Sequence, residues 1–220
     1  MNILVIAPHA DDEVLGVGAT MAKHIDNGDN VYICIVTRGV KPLFDDEYMD
    51  KLRNETILAH KTLGSIKTYF LEFPSVMLEQ VPRHEINNKI FNVVQEVKPD
   101  IVYTPHFGDM QKDHQIVAEA TMVAVRPKYD HRIREVYAYE TLSETEWNNP
   151  HNSNAFMPNV YNDVSNYLDK KIKVIKCFKS QLSDFPNPRS VEAITALAKY
   201  RGSTINANAA EAFMLIRGIQ

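Results

Sequence analysis

Residues 8–13 read Pro-His-Ala-Asp-Asp-Glu, directly behind a short apolar run that ends at Ala7. His9 and Asp12 stand three positions apart and can turn toward one point, whereas Asp11 between them must project elsewhere. Two metal ligands beside a carboxylate that stays unliganded make a hydrolytic zinc site: an open metal with a base for its water. For either acid taken alone, a helix N-cap is the simpler reading. The clustering of all three is what points to a site. A second segment, His106-Phe-Gly-Asp-Met-Gln-Lys-Asp-His114, holds two more imidazoles, two carboxylates and an amide. His114 would complete a set of two imidazoles and one carboxylate that leaves one metal position open. Alone it reads as a surface residue at a helix start, so its weight depends on where the fold puts it.

The elements needed to bring these segments together are visible in the hydrophobic periodicity. Strands are expected at Asn2–Ala7, Val31–Thr37, Ile66–Leu71, Ile101–Thr104 and Val136–Tyr139. Between them, helical spacing covers Glu13–Asp26, about Glu47–Leu63, Arg83–Val97 and about Lys112–Val125, with Asn27-Gly28, Gly64 and Pro99 as stops. Strands apolar on both faces, separated by helix-length segments, predict an α/β fold with a mostly parallel sheet and helices on both faces. Sites in such sheets lie outside the C-terminal strand ends, which is where both segments fall. The second half is less regular. Tyr167–Gln181 and Ser190–Tyr200 look helical, and Ser143–Asn159, with the only tryptophan, Trp147, reads as a lid or interface loop. Without repeats or a linker, residues 1–220 are expected to form one domain.

Composition narrows the partners. A net charge of −4 disfavours a general nucleic-acid role. No run of 18 apolar residues is present to span a membrane, and the apolar N-terminus breaks too early for a secretory signal. Cys34 and Cys177 read as reduced thiols of a cytoplasmic protein. Gly16-x-Gly18 lacks the third glycine of a dinucleotide loop and is read as close helix–sheet packing. His24, His60 and His84 are read as surface or boundary residues, His106 is left out of the ligand set, and Glu140 is a candidate neighbour of the site.

Pro8-His9-Ala10-Asp11-Asp12-Glu13, Leu15-Gly16-Val17-Gly18-Ala19-Thr20 and the later Asp113-His114 resemble the LmbE-like (PIG-L) family of zinc-dependent de-N-acetylases. Thr37-Arg38-Gly39, the Arg53-x-Glu55 helix, Ser180-Gln181, Arg201-Gly202 and Ala210-Glu211-Ala212-Phe213 extend the similarity almost to the end. The resemblance implies a Rossmann-like sheet and hydrolysis of an N-acetyl group from an N-acetylglucosamine-like conjugate, releasing acetate. Carried over by position, His9, Asp12 and His114 hold Zn2+ or another divalent metal, Asp11 is the general base and Arg53 contacts the sugar. An exposed arginine paired with Asp50 is the competing reading of Arg53. Family members often carry His two residues before the Asp-His pair; here Gln111 stands there, able to donate a hydrogen bond to an oxyanion but not a proton. Asp113 is either a partner for a ligating histidine or a helix N-cap. The alternatives are a deacylase for another N-acyl compound, or a catalytically silent sugar- or nucleotide-binding domain. Asp11 favours an enzyme, because a binding module needs no unliganded acid beside a metal. A homo-oligomer is left open.

Overall fold

The computed structural model describes residues 1–128, 131–149 and 151–220. Strands β1 (Asn2–Ala7), β2 (Asn30–Arg38), β3 (Lys67–Pro74), β4 (Ile101–Pro105) and β5 (Glu135–Tyr139) pair in parallel. Two further strands, β6 (Val160–Asp163) and β7 (Ala210–Gly218), extend the sheet past β5 in antiparallel pairing. The order is β3-β2-β1-β4-β5-β7-β6. The five expected strands are therefore present, and two C-terminal ones are added to them.

The period-two alternation of β1 explains the helices on both faces. Ile3, Val5 and Ala7 enter one core with residues of α1 (Asp12–Asp26), α2 (Asp46–Leu63) and α5 (Leu168–Ile175). Leu4 and Ile6 enter the other, with α3 (Arg83–Val97) and α4 (Lys112–Ala124). A strand buried on both sides must be apolar at every position, which is what Ile3–Ala7 provides. Local chemistry sets the helix ends. Asp45 caps α2 by accepting from the Tyr48 N–H at 2.7 Å, and Gly64 closes it at φ 101°. Ser190 caps α6 (Val191–Ser203) through the Ala193 N–H at 3.0 Å. The helix expected over Tyr167–Gln181 is shorter, ending at Ile175 and passing into turns. Pro150, within the expected loop Ser143–Asn159, lies outside the described residues.

Helix α1 lies close over the sheet because of Gly16. A Cβ there would meet the Tyr139 ring at 2.2 Å, so any side chain would push the helix away from β5. The Tyr139 hydroxyl in turn donates to the Ile6 carbonyl at 2.9 Å. One turn further on, the buried Lys171–Glu211 pair enters the helix ladder. The Lys171 ammonium donates to Leu15 O at 2.6 Å, and the Glu211 carboxylate accepts from Ala19 N and Thr20 N at 3.0 and 2.7 Å. Thus β7, α5 and α1 are joined by one charged cluster.

Candidate active site

β1 ends at Ala7, and the next turn is pinned to β2: Thr37 donates to the Pro8 carbonyl through both its N–H (3.0 Å) and its hydroxyl (2.8 Å). His9 follows and α1 begins at Asp12, while β4 leads through a short loop to His114 in the first turn of α4. Two neighbouring parallel strands thereby deliver their loops to one place. The ligand atoms of His9, Asp12 and His114 lie within 4.8 Å of one another. Asp12 Oδ2 is 3.2 Å from both His9 Nδ1 and His114 Nε2.

The outward ring nitrogens are held by carboxylates. His9 Nε2 faces Asp113 Oδ2 at 3.1 Å, and His114 Nδ1 faces Asp109 Oδ2 at 2.9 Å. With a proton on each outward nitrogen, both inward nitrogens present lone pairs to the centre, the arrangement that orients metal-bound histidines. Asp113 is itself fixed by the backbone N–H groups of Val76 (2.6 Å) and Leu78 (3.3 Å), and Asp109 by the Thr145 hydroxyl (2.6 Å). Asp113 therefore stands inside α4 as a partner of His9 and is not its cap.

His114 Nε2 and Asp12 Oδ1 are buried without a hydrogen-bond partner. Asp12 Oδ1 lies 3.8 Å from Arg189 Nη2, whereas His114 Nε2 points into the trio, and a buried ring nitrogen left without a hydrogen bond there fits a cation. Burial opposes charge on His114, but Asp12 and Asp109 outweigh it and push its pKa up to about 10. Burial likewise opposes the charge of Asp12, and the two histidines more than reverse that, holding its carboxyl well below the usual range.

Asp11 departs from ordinary backbone geometry, with φ 108° and ψ −27°. A non-glycine residue there is strained by about 1–3 kcal/mol and persists only where its surroundings hold it. Its N–H donates to Glu13 Oε2 at 3.1 Å, and Glu13 Oε1 meets His60 Nε2 at 2.9 Å. His60 Nδ1 in turn meets the Thr68 hydroxyl of β3 at 2.7 Å. On the side chain, Arg189 Nη1 donates to Asp11 Oδ2 at 2.8 Å, while Asp11 Oδ1 is buried and unpartnered. The carboxylate makes no cap hydrogen bond to α1. Burial pushes its pKa up to about 8, against the pull of Arg189.

Arg189 and His60 were not expected here. His60 is buried, not a surface residue: it shares an inward face of α2 with Thr56 and Ala59. Arg189 comes from the turn before α6 and also donates to the Ser143 hydroxyl at 2.8 Å. Arg189→Ala should leave metal content unchanged and lower kcat by about 10²-fold, the scale of a misplaced reacting group, with partial recovery in Arg189→Lys. Unchanged kcat would mean that Arg189 only fills space. His60→Ala should lower kcat about tenfold through a looser Asp11, and His60→Gln, which keeps a donor and an acceptor, should recover part of it. A fall in folding stability without any kcat change would make this chain purely structural.

Arg53 and Gln111 line the same cleft as His9 and Asp11. The Arg53 guanidinium pairs with Glu72 and lies over the Phe70 ring, 3.6 Å from its centroid. Asp50 is taken instead by Arg38, at 3.2 Å. Gln111 stands at the start of α4 with its Oε1 buried and unpartnered. His106 lies outside the ligand trio, its Nε2 on the Asn154 carbonyl at 2.9 Å. Glu140 is in a two-pronged ion pair with Arg201, at 2.8 and 2.7 Å, and lines a separate cavity.

The family model described as PIG-L, GlcNAc-PI de-N-acetylase, matches residues 4–125. The chain is 30% identical to the uncharacterized deacetylase YaiS of Escherichia coli over 184 residues, 81% of this chain and 91% of that protein. It is 24% identical to the diacetylchitobiose deacetylase of Thermococcus kodakarensis, over 99% of this chain and 84% of that one. Among solved structures, the conserved protein TT1542 from Thermus thermophilus superposes with a TM-score of 0.82 at 25% identity, covering 100% of this chain and 96% of its own.

Proposed function

The chain belongs to the PIG-L (LmbE-like) family, the GlcNAc-PI de-N-acetylases, and from that membership we propose a zinc-dependent hydrolase that removes acetyl from an N-acetylated amino-sugar conjugate. It is an enzyme of the deacetylase kind, acting on an amide bond. The observation that carries the metal is the convergence of His9, Asp12 and His114, with the buried His114 Nε2 left without a hydrogen bond. Three protein ligands of this kind leave a position open, as catalytic zinc sites do.

A divalent cation held by these residues would supply Lewis acidity to the acyl oxygen and to the attacking water. The chain's own groups do the rest. Asp11 Oδ1, free while Arg189 occupies the other oxygen, accepts the proton that the water loses as it attacks the carbonyl carbon. Gln111 donates its amide N–H to the developing oxyanion, a role worth roughly 3 kcal/mol for a well-placed donor. When the C–N bond breaks, Asp11 returns that proton to the departing nitrogen, leaving the free amine and acetic acid, which gives up its own proton to become acetate. No separate acid is required, which suits a chain with Gln111 where relatives of this type often have histidine. Arg53 offers its guanidinium to sugar hydroxyls on the cleft wall.

The test is acetate release from N-acetylglucosamine and its glycosides by zinc-loaded protein, with the metal-free protein as control. Release from none would refute the reading. A second readout needs no substrate. Since His114 without metal carries its proton up to about pH 10 and must lose it to become a ligand, zinc added in weak buffer should acidify the solution. Its affinity should also rise with pH. No acidification at one equivalent of zinc would place the metal elsewhere.

A further inference from the structure

The cleft that opens on His9 and Asp11 continues outward past α2 and the end of β3. Away from the ligand trio its wall is Phe44, Tyr48, Leu52 and Phe70, all only half-buried, with Val76 44% exposed beside them. The Phe44 and Tyr48 rings lie nearly parallel, 15° apart with centroids at 6.2 Å. The cleft's cations are already matched. Arg38 faces Asp50 at 3.2 Å and Glu72 at 3.9 Å, Arg53 faces Glu72, and Arg189 faces Asp11 at 2.8 Å. An acidic substituent entering here would find no guanidinium free of a carboxylate, and it would meet the field of Asp50 and Glu72. A flat apolar group would instead cover the half-buried Phe44 and Tyr48 rings, the Phe70 face being already covered by the Arg53 guanidinium.

We infer that this outer half of the cleft is a subsite for an uncharged aromatic or similarly flat apolar aglycone carried by the amino sugar. The inference rests on the deacetylase reading, since that reading puts the acetamido group at His9, Asp12 and His114 and leaves the rest of the conjugate to the outer wall. Phe44 and Tyr48 would then be specificity-determining residues. Stacking on an aromatic face, added to the apolar area covered, is worth on the order of tenfold in affinity.

The experiment compares the methyl, phenyl and carboxymethyl glycosides of N-acetylglucosamine, as both anomers. Acetate release gives kcat/KM for the zinc-loaded protein, and calorimetry gives Kd for the Asp11→Asn protein, so binding is read even without turnover. The phenyl glycoside should bind about tenfold more tightly than the methyl glycoside, and the carboxymethyl glycoside no better than methyl. Phe44→Ala and Tyr48→Ala should each shrink the phenyl-to-methyl ratio to about twofold or less, while Phe44→Leu keeps part of it. Equal affinities, a preference for the carboxylate, or a ratio untouched by both alanine variants would overturn the subsite. Absence of acetate release from every glycoside would refute the deacetylase reading, while the calorimetric ratio would still decide on the subsite.

Discussion

Asp11→Asn is expected to lower kcat by about 10²–10⁴-fold, the usual span of a general base, with metal content close to that of the unmodified protein. The separation follows from geometry. The metal's candidate ligands are His9, Asp12 and His114, whereas the Asp11 carboxylate gives one oxygen to Arg189 and leaves the other unpartnered. Asparagine is a fair probe because it tolerates positive φ better than most residues, so the turn at 108° should survive. It also keeps an oxygen for Arg189 while losing basicity. Metal analysis alongside steady-state kinetics checks the prediction. Loss of metal on this substitution would exchange the roles of Asp11 and Asp12, and retained kcat would require another base.

The legible parts of this chain are those where local pattern and tertiary role agree. β1, β2 and β4 are buried on both faces, so their composition alone marks them, and the residues just past β1 and β4 had to reach the same sheet edge. His9, Asp12 and His114 stand out for that reason. β6 is only four residues long and half-buried, which leaves little periodicity to see. Glu211, second in β7, stands between the buried Ala210 and Ala212, and a charge there argues against a buried strand until its partner is known. That partner, Lys171, lies 40 residues earlier, in a lysine-rich stretch of the segment Tyr167–Gln181 expected to be helical. Arg189 sits between Pro188 and the Ser190 cap with no periodic context, so only the fold brings it to Asp11. His60 left a usable signal: it falls in register with Thr56, Ala59 and Leu63 on one face of α2, and a buried histidine needs partners on both nitrogens.

Glu211→Ala is expected to destabilise the fold by about 3–5 kcal/mol, because it removes one partner of a buried pair and strands the other charge. Lys171 and Glu211 are 4 and 5% exposed, and the carboxylate is also the acceptor for two α1 N–H groups, Ala19 and Thr20. Its loss therefore leaves the ammonium with the Leu15 carbonyl alone and takes an acceptor from two α1 N–H groups at once. Lys171→Met keeps the stem that packs on Gly18 but strands the carboxylate, with a cost of similar size. The double variant Lys171→Met/Glu211→Ala should cost less than the sum of the two single ones, since no charge then remains buried without its partner. Urea unfolding of the four proteins checks this. Strict additivity would show that the two side chains act independently. The cluster also bears on chemistry, because α1 starts at Asp12 and its ladder is spliced only two turns further on. A helix released from Glu211 should hold Asp12 less firmly, so metal affinity in Glu211→Ala should fall even where the protein is still folded, and an unchanged affinity would confine the cluster to stability.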